Sequence, residues 1–490
     1  MRLLRTANWG IRACAVLLMC AMSVIASLAQ TLTTLYNFDN SDGAVPERLV
    51  QATTGKLYGT ALEGGANSDG TIFTITTGGK LKTLLSFDGN DGAAPYGLPL
   101  LQAINGDFYG TAQSGGAYPA LCGGYGCGTV FKITASGKLT TLYNFCSQTS
   151  CTDGSTPLTG LVQATDGDFY GTTNSGGANC IADGGCGTIF KITPSGTLTT
   201  LYSFCSQSNC ADGAYPTSGP IEANDGNFYG TANTGGVYGY GTVYQLTPSG
   251  TLTTLFSFDY TDGDGPRNLI QASNGNLYGS THSGGTSTAC TNGCGVIFSM
   301  TLSGTLTAVY SFDNTDGANP STPVQATDGN FYGTGHTDGA YGKGTIYELT
   351  PAGTLTTLYN FCAQSGCPDG ATPAGLLQDT NGNFYGTTYA GGTSGACSAG
   401  CGTIYSFSVG LGPFVETQTT SGKVGAAVKI LGTDLTGATS VTFNGTAAVF
   451  KVASSSEIST KVPKGATSGE VQVVTPGGTL YSNQEFQVIP

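Results

Sequence analysis

The chain has 490 residues, a formal net charge of −13 and only 10% charged residues, so it offers no basic patch and nucleic acid is not expected as a partner. With 78 glycines against 4 methionines and 1 tryptophan, it reads as a turn-dense all-β protein in which helix has little place. Thinly spread acidity favours solubility, leaves room for a divalent cation such as calcium, and argues against anionic membranes.

Residues 1–12 carry Arg2, Arg5 and Arg12 and no acid, and an apolar stretch from Ala13 to Ala29 ends on the small-x-small pattern Ser27-Leu28-Ala29. This predicts a signal peptide over residues 1–29 and an exported product, secreted or held at the cell surface, with the periplasm as the other destination. Losing three arginines and no acid takes the formal charge from −13 to −16. No later segment is apolar enough for the roughly 20 residues of a membrane span.

After the leader comes Thr31-Leu32-Thr33-Thr34-Leu35-Tyr36, and then Leu57-Tyr58-Gly59-Thr60 begins a recurrence. Related tetrapeptides centre on Tyr109, Tyr170, Tyr229, Tyr278, Tyr332 and Tyr385, giving seven copies spaced 49 to 61 residues apart. Four β-forming runs surround each copy. In the third they are Leu161-Val162-Gln163-Ala164, Phe169-Tyr170-Gly171-Thr172, Gly187-Thr188-Ile189-Phe190-Lys191-Ile192 and Thr197-Leu198-Thr199-Thr200-Leu201-Tyr202. Asp166-Gly167, like Asn274-Gly275 and Asn381-Gly382, predicts a two-residue hairpin turn with positive φ at both positions.

Four antiparallel strands in about 50 residues make a propeller blade, which buries both faces only when neighbours stack on it. The first run after the leader is a fourth strand without its repeat, and the last repeat stops at its third run, Gly402-Thr403-Ile404-Tyr405-Ser406-Phe407. A seven-bladed β-propeller closed by the N-terminal strand, over residues 30–410, follows from this permutation. A β-solenoid would explain the repetition but not the permutation.

The recurring (Leu/Phe)-Tyr-Gly-Thr, the Gly-Gly after it and Gly-Thr-(Ile/Val)-(Phe/Tyr) resemble the GloVer-type tandem repeats of secreted bacterial proteins, from about Thr31 to Val409. The resemblance implies export and repetition, and no single activity. From about Gly412 the composition shifts to Val, Thr, Ser and Lys. The run from Gly425 to Leu435, then Val441-Thr442-Phe443-Asn444-Gly445, Val462-Pro463 and Gly469 to Thr475, resemble an IPT/TIG domain. That implies an immunoglobulin-like β-sandwich over residues 411–490, a type that serves as spacer or adhesive module.

Cys14 and Cys20 belong to the leader, and the other fourteen cysteines form local pairs. Cys146 with Cys151, Cys205 with Cys210 and Cys362 with Cys367 follow fourth runs. Cys122 with Cys127, Cys180 with Cys186, Cys290 with Cys294 and Cys397 with Cys401 precede third runs. Repeats lacking one member lack the other, as disulfides require. All-thiolate zinc is the rival, disfavoured by export into oxidising surroundings and by the distance between corresponding loops of different blades.

Where no disulfide follows the fourth run, carboxylates stand three apart before glycine: Asp39 with Asp42, Asp88 with Asp91, Asp259 with Asp262, and Asp313 with Asp316. They offer hard oxygens to calcium, or cap turns as Asx residues do. The second reading gains from repeats in which cysteine replaces the first acid and Asp-Gly persists, at Asp153, Asp212 and Asp369.

The two histidines, His282 and His336, occupy one repeat position, four residues after the recurring tyrosine; the other repeats carry Leu62, Gln113, Asn174, Asn233 and Tyr389 there. A varied polar position in an invariant scaffold is the best candidate for a ligand-lining row, against the plain alternative of solvated loop residues. Glu47, Arg48, Glu63, Glu222, Arg267, Lys343 and Glu348 are charges without counterparts in the other repeats. The sequence contains no nucleophile elbow, HExxH or phosphate loop, and no organic cofactor is expected. The reading is a secreted, non-enzymatic binding or structural protein that takes carbohydrate or a cell-surface protein on one propeller face. The alternative is a secreted propeller enzyme, hydrolase or lyase, acting on polysaccharide with Glu222 or Glu348 among its acids.

Overall fold

The computed structural model describes residues 30–97, 100–180 and 185–489, and the expected signal peptide lies outside them. Each repeat forms an antiparallel sheet of four or five strands, and there are seven such sheets among the described residues. In the third repeat the strands are Val162–Gln163, Phe169–Thr173, Thr188–Ile192 and Leu198–Ser203. The second and third are buried almost throughout, which explains their continuous apolar runs, whereas the fourth is only partly covered, as an outer strand must be.

The recurring aromatic pair has a simple cause. Successive strand residues face opposite ways, so Phe169 and Tyr170 serve two different sheet interfaces. Phe169 stacks on Tyr109 of the preceding repeat at 4.1 Å, and Tyr170 on Phe228 of the following one at 4.1 Å. Tyr58 with Phe108 and Tyr278 with Phe331 repeat the contact at 4.2 Å.

A second series of links runs along the turns between first and second strands. The backbone N–H of Thr53 donates to Gln102 (2.8 Å), that of Ile104 to Gln163 (3.3 Å), and that of Thr165 to Glu222 (2.9 Å). Asn224 then donates to Gln271 (2.9 Å) and Ser273 to Gln325 (2.8 Å). Gln378 donates to Thr327 Oγ1 at 3.5 Å, and Thr380 N–H donates at 3.0 Å to Gln51 of the first repeat. The strand Thr31–Asn37 pairs antiparallel with Thr403–Ser408 of the last repeat.

The hairpin turns differ from the sequence expectation. Ala164 N–H bonds Asp168 O and Gly167 N–H bonds Ala164 O, both at 2.9 Å, so three residues form the loop. Only Gly167 has positive φ (87°), and Asp166 uses its carboxylate to accept from Asp168 N–H at 3.0 Å. Asn274 and Asn381 likewise keep negative φ beside Gly275 and Gly382, so each loop is a turn followed by one left-handed glycine.

The remaining strands form a parallel pair, Ser421–Lys423 with Gln487–Ile489, and two four-stranded sheets. Val415–Thr417, Ala427–Gly432, Glu457–Lys461 and Phe450–Val452 make one, and Thr446–Ala447, Ser440–Phe443, Val471–Thr475 and Gly478–Tyr481 the other. Val428, Ile430, Ile458, Phe443, Val473 and Phe486 fill the space between them. This sandwich rests on the turns between first and second strands. Ser456 Oγ donates to Thr53 O (2.8 Å), Gln418 Nε2 to Gln102 O (2.9 Å), and Phe414 N–H to Thr380 O (3.0 Å). A cleft of about 370 Å³ lies in the same junction, lined by Glu222, Gln271, Thr420 and Gln484 among others.

The junction carries carboxyls that resist ionisation. Burial pushes Glu416 up to about 7, helped by the charge of Asp379, and pushes Asp379 up to about 6. The folded protein therefore holds protons that the unfolded chain has already released, so these groups lower stability as pH rises from about 4.5 through 7. The melting temperature is expected to be a few degrees lower at pH 8 than at pH 5.5, and Glu416→Gln should flatten that slope. Thermal melts across this range check it; an unchanged slope in the variant would contradict the assignment.

Candidate ligand-binding face

Chain direction fixes which groups share an end of the sheets. First strands run from the loops after fourth strands toward the turns covered by the sandwich, and second strands run back. The loops between second and third strands, with those after fourth strands, therefore share the opposite face.

On that face the first strands of several repeats contribute polar groups. Glu47, with no exposed surface, accepts a hydrogen bond from Tyr389 Oη at 3.1 Å through Oε2, while its Oε1 has no partner. Burial pushes this carboxyl up to about 7, against the opposing pull of Tyr389 and the Arg48 charge. Tyr389 is held well above its usual value by burial, then by Glu47. Arg267 Nη2 donates to Asn319 Oδ1 at 2.6 Å, and its Nε is buried without a partner. Tyr96, 39% exposed, lies within electrostatic reach of Glu47 and Arg267.

The predicted polar row reaches this cluster in part. His336 packs edge-on against Tyr389 with ring centres 5.3 Å apart, and its Nδ1 lies 3.4 Å from Pro373 O. His282 stands beside Ser283, which donates to Asp264 at 3.0 Å. Desolvation, with Arg267 contributing, holds both imidazoles below their usual value. Asn233 and His282 flank Gly265, where a Cβ would lie 3.0 Å from Asn233 Oδ1 and 3.3 Å from His282 Cβ. Asn174 is spent on Pro216 O at 3.4 Å, and Gln113 is half-buried, its backbone bonded to Ala94 O.

The charges Glu47, Arg48 and Arg267, noted as unpaired oddities in the sequence, thus sit with the histidine row. Sequence reasoning missed this cluster because these residues lie in the variable starts of first strands. Glu222 has a different role: it stands where six repeats carry Gln51, Gln102, Gln163, Gln271, Gln325 and Gln378, and accepts from Thr165 N–H and Oγ1 at 2.9 and 2.7 Å. Glu348 accepts from Asn330 at 2.7 Å, while Glu63 and Lys343 are exposed. Neither Glu222 nor Glu348 touches the cluster.

The paired aspartates cap turns. Asp39 N–H donates to Asp42 at 3.1 Å, and Ser41 N–H and Oγ donate back to Asp39. Asp88 with Asp91, Asp259 with Asp262 and Asp313 with Asp316 repeat this at 2.9 to 3.0 Å. Among the described residues no third carboxylate or imidazole joins any pair. Asp42 and Asp316 also accept from Tyr36 and Tyr310, as Asp153, Asp212 and Asp369 do from Tyr143, Tyr202 and Tyr359.

All seven cysteine pairs are bridged, with Cα separations of 4.0 to 5.6 Å. Within two of the repeats, two bridges lie side by side. Cys122, Cys127, Cys146 and Cys151 bring four sulfurs within 4.8 Å of one another, and Cys180, Cys186, Cys205 and Cys210 do the same, because loops before the third strand and after the fourth meet on one face.

The family model of the Gloeobacter/Verrucomicrobia repeat matches residues 23–224 and 183–400, and that of the IPT/TIG domain matches residues 413–488. No curated protein matches significantly. Among solved structures, the chain is similar to a presumed gluconolactonase (10% identity, 79% of this chain and 94% of that one, TM-score 0.39). It is also similar to a presumed 6-phosphogluconolactonase from Bacteroides uniformis (15%, 69% and 89%, TM-score 0.43). A third is the extracellular domain of a presumed hybrid two component system from B. thetaiotaomicron (12%, 94% and 59%, TM-score 0.49). Likenesses of this degree bear on neither ligand nor chemistry. With its repeats matched over well more than half of its length, the chain belongs to the Gloeobacter/Verrucomicrobia repeat family and carries an IPT/TIG domain after the repeats.

Proposed function

We propose that the seven sheets close into a seven-bladed propeller and that this exported protein binds a glycan, without catalysis, on the face opposite the IPT/TIG domain. Support for closure comes from the pairing of Thr31–Asn37 with Thr403–Ser408 and from the bond of Thr380 to Gln51, which continue one series of links from the last repeat to the first. The observation that carries the binding reading is the polar cluster around Glu47, Tyr389 and the histidines, surrounded on the same face by loop tyrosines. Tyr125 is 80%, Tyr238 61% and Tyr341 52% exposed, all on loops between second and third strands. Flat aromatic faces beside hydrogen-bonding groups suit sugar rings, and the sandwich covers the other end.

The bound fraction of the oxidised protein on a panel of polysaccharides tests this, with Tyr238→Ala, Tyr341→Ala and His336→Ala for comparison. Selective binding that falls several-fold in these variants is expected; failure on every polysaccharide would end the glycan reading and favour a protein partner. A polysaccharide-cleaving hydrolase or lyase is the second reading, favoured by one observation: Glu47 is a buried carboxyl with a free oxygen, suited to proton transfer. Product release abolished by Glu47→Gln would replace binding with catalysis.

A further inference from the structure

Outside residues 1–29 the sequence contains two arginines, Arg48 and Arg267, and two histidines, His282 and His336. All four lie in the cluster just described, although they come from the first, fifth and sixth repeats. Arg48 crosses to the last repeat and lies over Gly375, where a Cβ would stand 2.9 Å from Nε and 3.1 Å from Cζ. Any larger residue there would displace the guanidinium. The two guanidinium groups are close enough to repel one another, and Arg267 acts on both imidazoles.

Such convergence is costly unless something compensates it. Among the described residues neither arginine forms an ion pair: the four salt bridges all involve lysines. Glu47, the one carboxylate beside Arg48, is shared with Tyr389, and Arg267 spends one Nη on the neutral Asn319 while its Nε has no partner. Two guanidinium groups within electrostatic reach of one another, half-buried and incompletely paired in an otherwise acidic chain, are suited to holding an oxyanion. A guanidinium fork holds a carboxylate or a sulfate through parallel N–H bonds, more strongly where water is scarce. The exposed His282 and Tyr96 mark the side from which such a group would enter.

We infer that Arg48 and Arg267 together form the anion-binding point of this face, and that the glycan it takes is an acidic one, carrying carboxylate or sulfate groups. The inference rests on the glycan reading above and adds the charge of the ligand. Gly375, Asn319 and Tyr389 are positioning residues: the first leaves room, the second orients Arg267, and the third holds Glu47 away from full pairing with Arg48.

The test measures affinity of the oxidised full protein for polygalacturonate, dextran sulfate and neutral dextran at low and high salt. Arg48→Met and Arg267→Met keep most of the packing volume, and Arg267→Lys keeps charge but loses the fork; melting temperatures identify variants that still fold. Binding to one acidic polymer at least tenfold tighter than to dextran is expected, weakening with salt. Each arginine variant should lose at least tenfold and most of the salt dependence, an effect that a purely structural role would not produce. Whichever acidic polymer binds tells carboxylate from sulfate. Folded variants that bind acidic polymer like the parent would overturn the inference. Equal affinity for neutral dextran would overturn it while leaving the glycan reading standing, and no binding to any of the three would remove both.

Discussion

Removal of residues 30–37, with residues 1–29 left in place, is expected to abolish cooperative unfolding or to lower the melting temperature by more than about 10 °C. Thr31–Asn37 contributes a complete outer strand, paired from Thr31 with Ser408 to Asn37 with Thr403 across one irregularity between Thr34 and Tyr36. Leu35 and Tyr36 pack against the core shared by the first and last repeats, and Leu32 against the core between the sixth and last. Asn37 Oδ1 also accepts from Thr393 N–H at 3.0 Å. Three partly buried side chains at about 1–2 kcal/mol each, with the ladder bonds, amount to on the order of 5 kcal/mol. That is a large share of a typical domain's stability of about 5–15 kcal/mol. The loop after it suffers too, since fully buried Phe38 is held between Tyr36 at 5.4 Å and Phe73 at 5.2 Å. Circular dichroism melts check this; a truncated protein melting like its parent would mean that the strand does not hold the first and last repeats together.

The second large effect concerns the glycine of the recurring tetrapeptide. At Gly171 a Cβ would stand 2.7 Å from Phe190 Cζ and 2.8 Å from Leu161 Cδ2, and Gly59, Gly110 and Gly279 meet the same pair of side chains in their own repeats. Backbone strain plays no part, because Gly171 does not have positive φ. The third-strand aromatic ring lies across the glycine, so Gly171→Ala must move a fully buried Phe190, with an expected cost of about 1–3 kcal/mol. Gly167 gives the contrast: its φ is 87° and nothing lies within 4 Å, so alanine there meets only left-handed strain of about 1–2 kcal/mol. Denaturant titration of both variants should rank Gly171→Ala as the more damaging, and the reverse order would contradict the packing argument.

These two effects show where the sequence was readable. Periodicity, the orphan strand at Thr31 and the paired cysteines are local or exactly repeated signals, and each corresponds to a feature of the sheets. Phe169 and Tyr170 look like one aromatic motif in the sequence, yet they serve different interfaces, because adjacent strand residues point to opposite faces. Asp166-Gly167 suggested a two-residue turn, but the aspartate side chain supplies a cap that makes three residues sufficient without a second left-handed position. Glu222 looked like a lone acid until its alignment with the glutamines that link neighbouring sheets became visible.

The candidate site was legible only in fragments. His282 and His336 share a repeat position and could be found by superposing the repeats, whereas Arg48 and Arg267 sit 219 positions apart in the chain, at adjacent but different repeat positions. Their meeting depends on how the sheets of distant repeats are brought together, which no local pattern encodes. The one sequence signal available was scarcity: beyond residue 29 the chain uses arginine only twice, at Arg48 and Arg267.

Amide hydrogen exchange of the oxidised protein with and without a bound polysaccharide would test the central claim most directly. The account predicts slowed exchange around residues 45–48, 96–97, 264–267, 281–283 and 388–390, with the turns under the IPT/TIG domain and the domain itself unchanged. Protection confined to those turns or to the sandwich, or none anywhere, would contradict it.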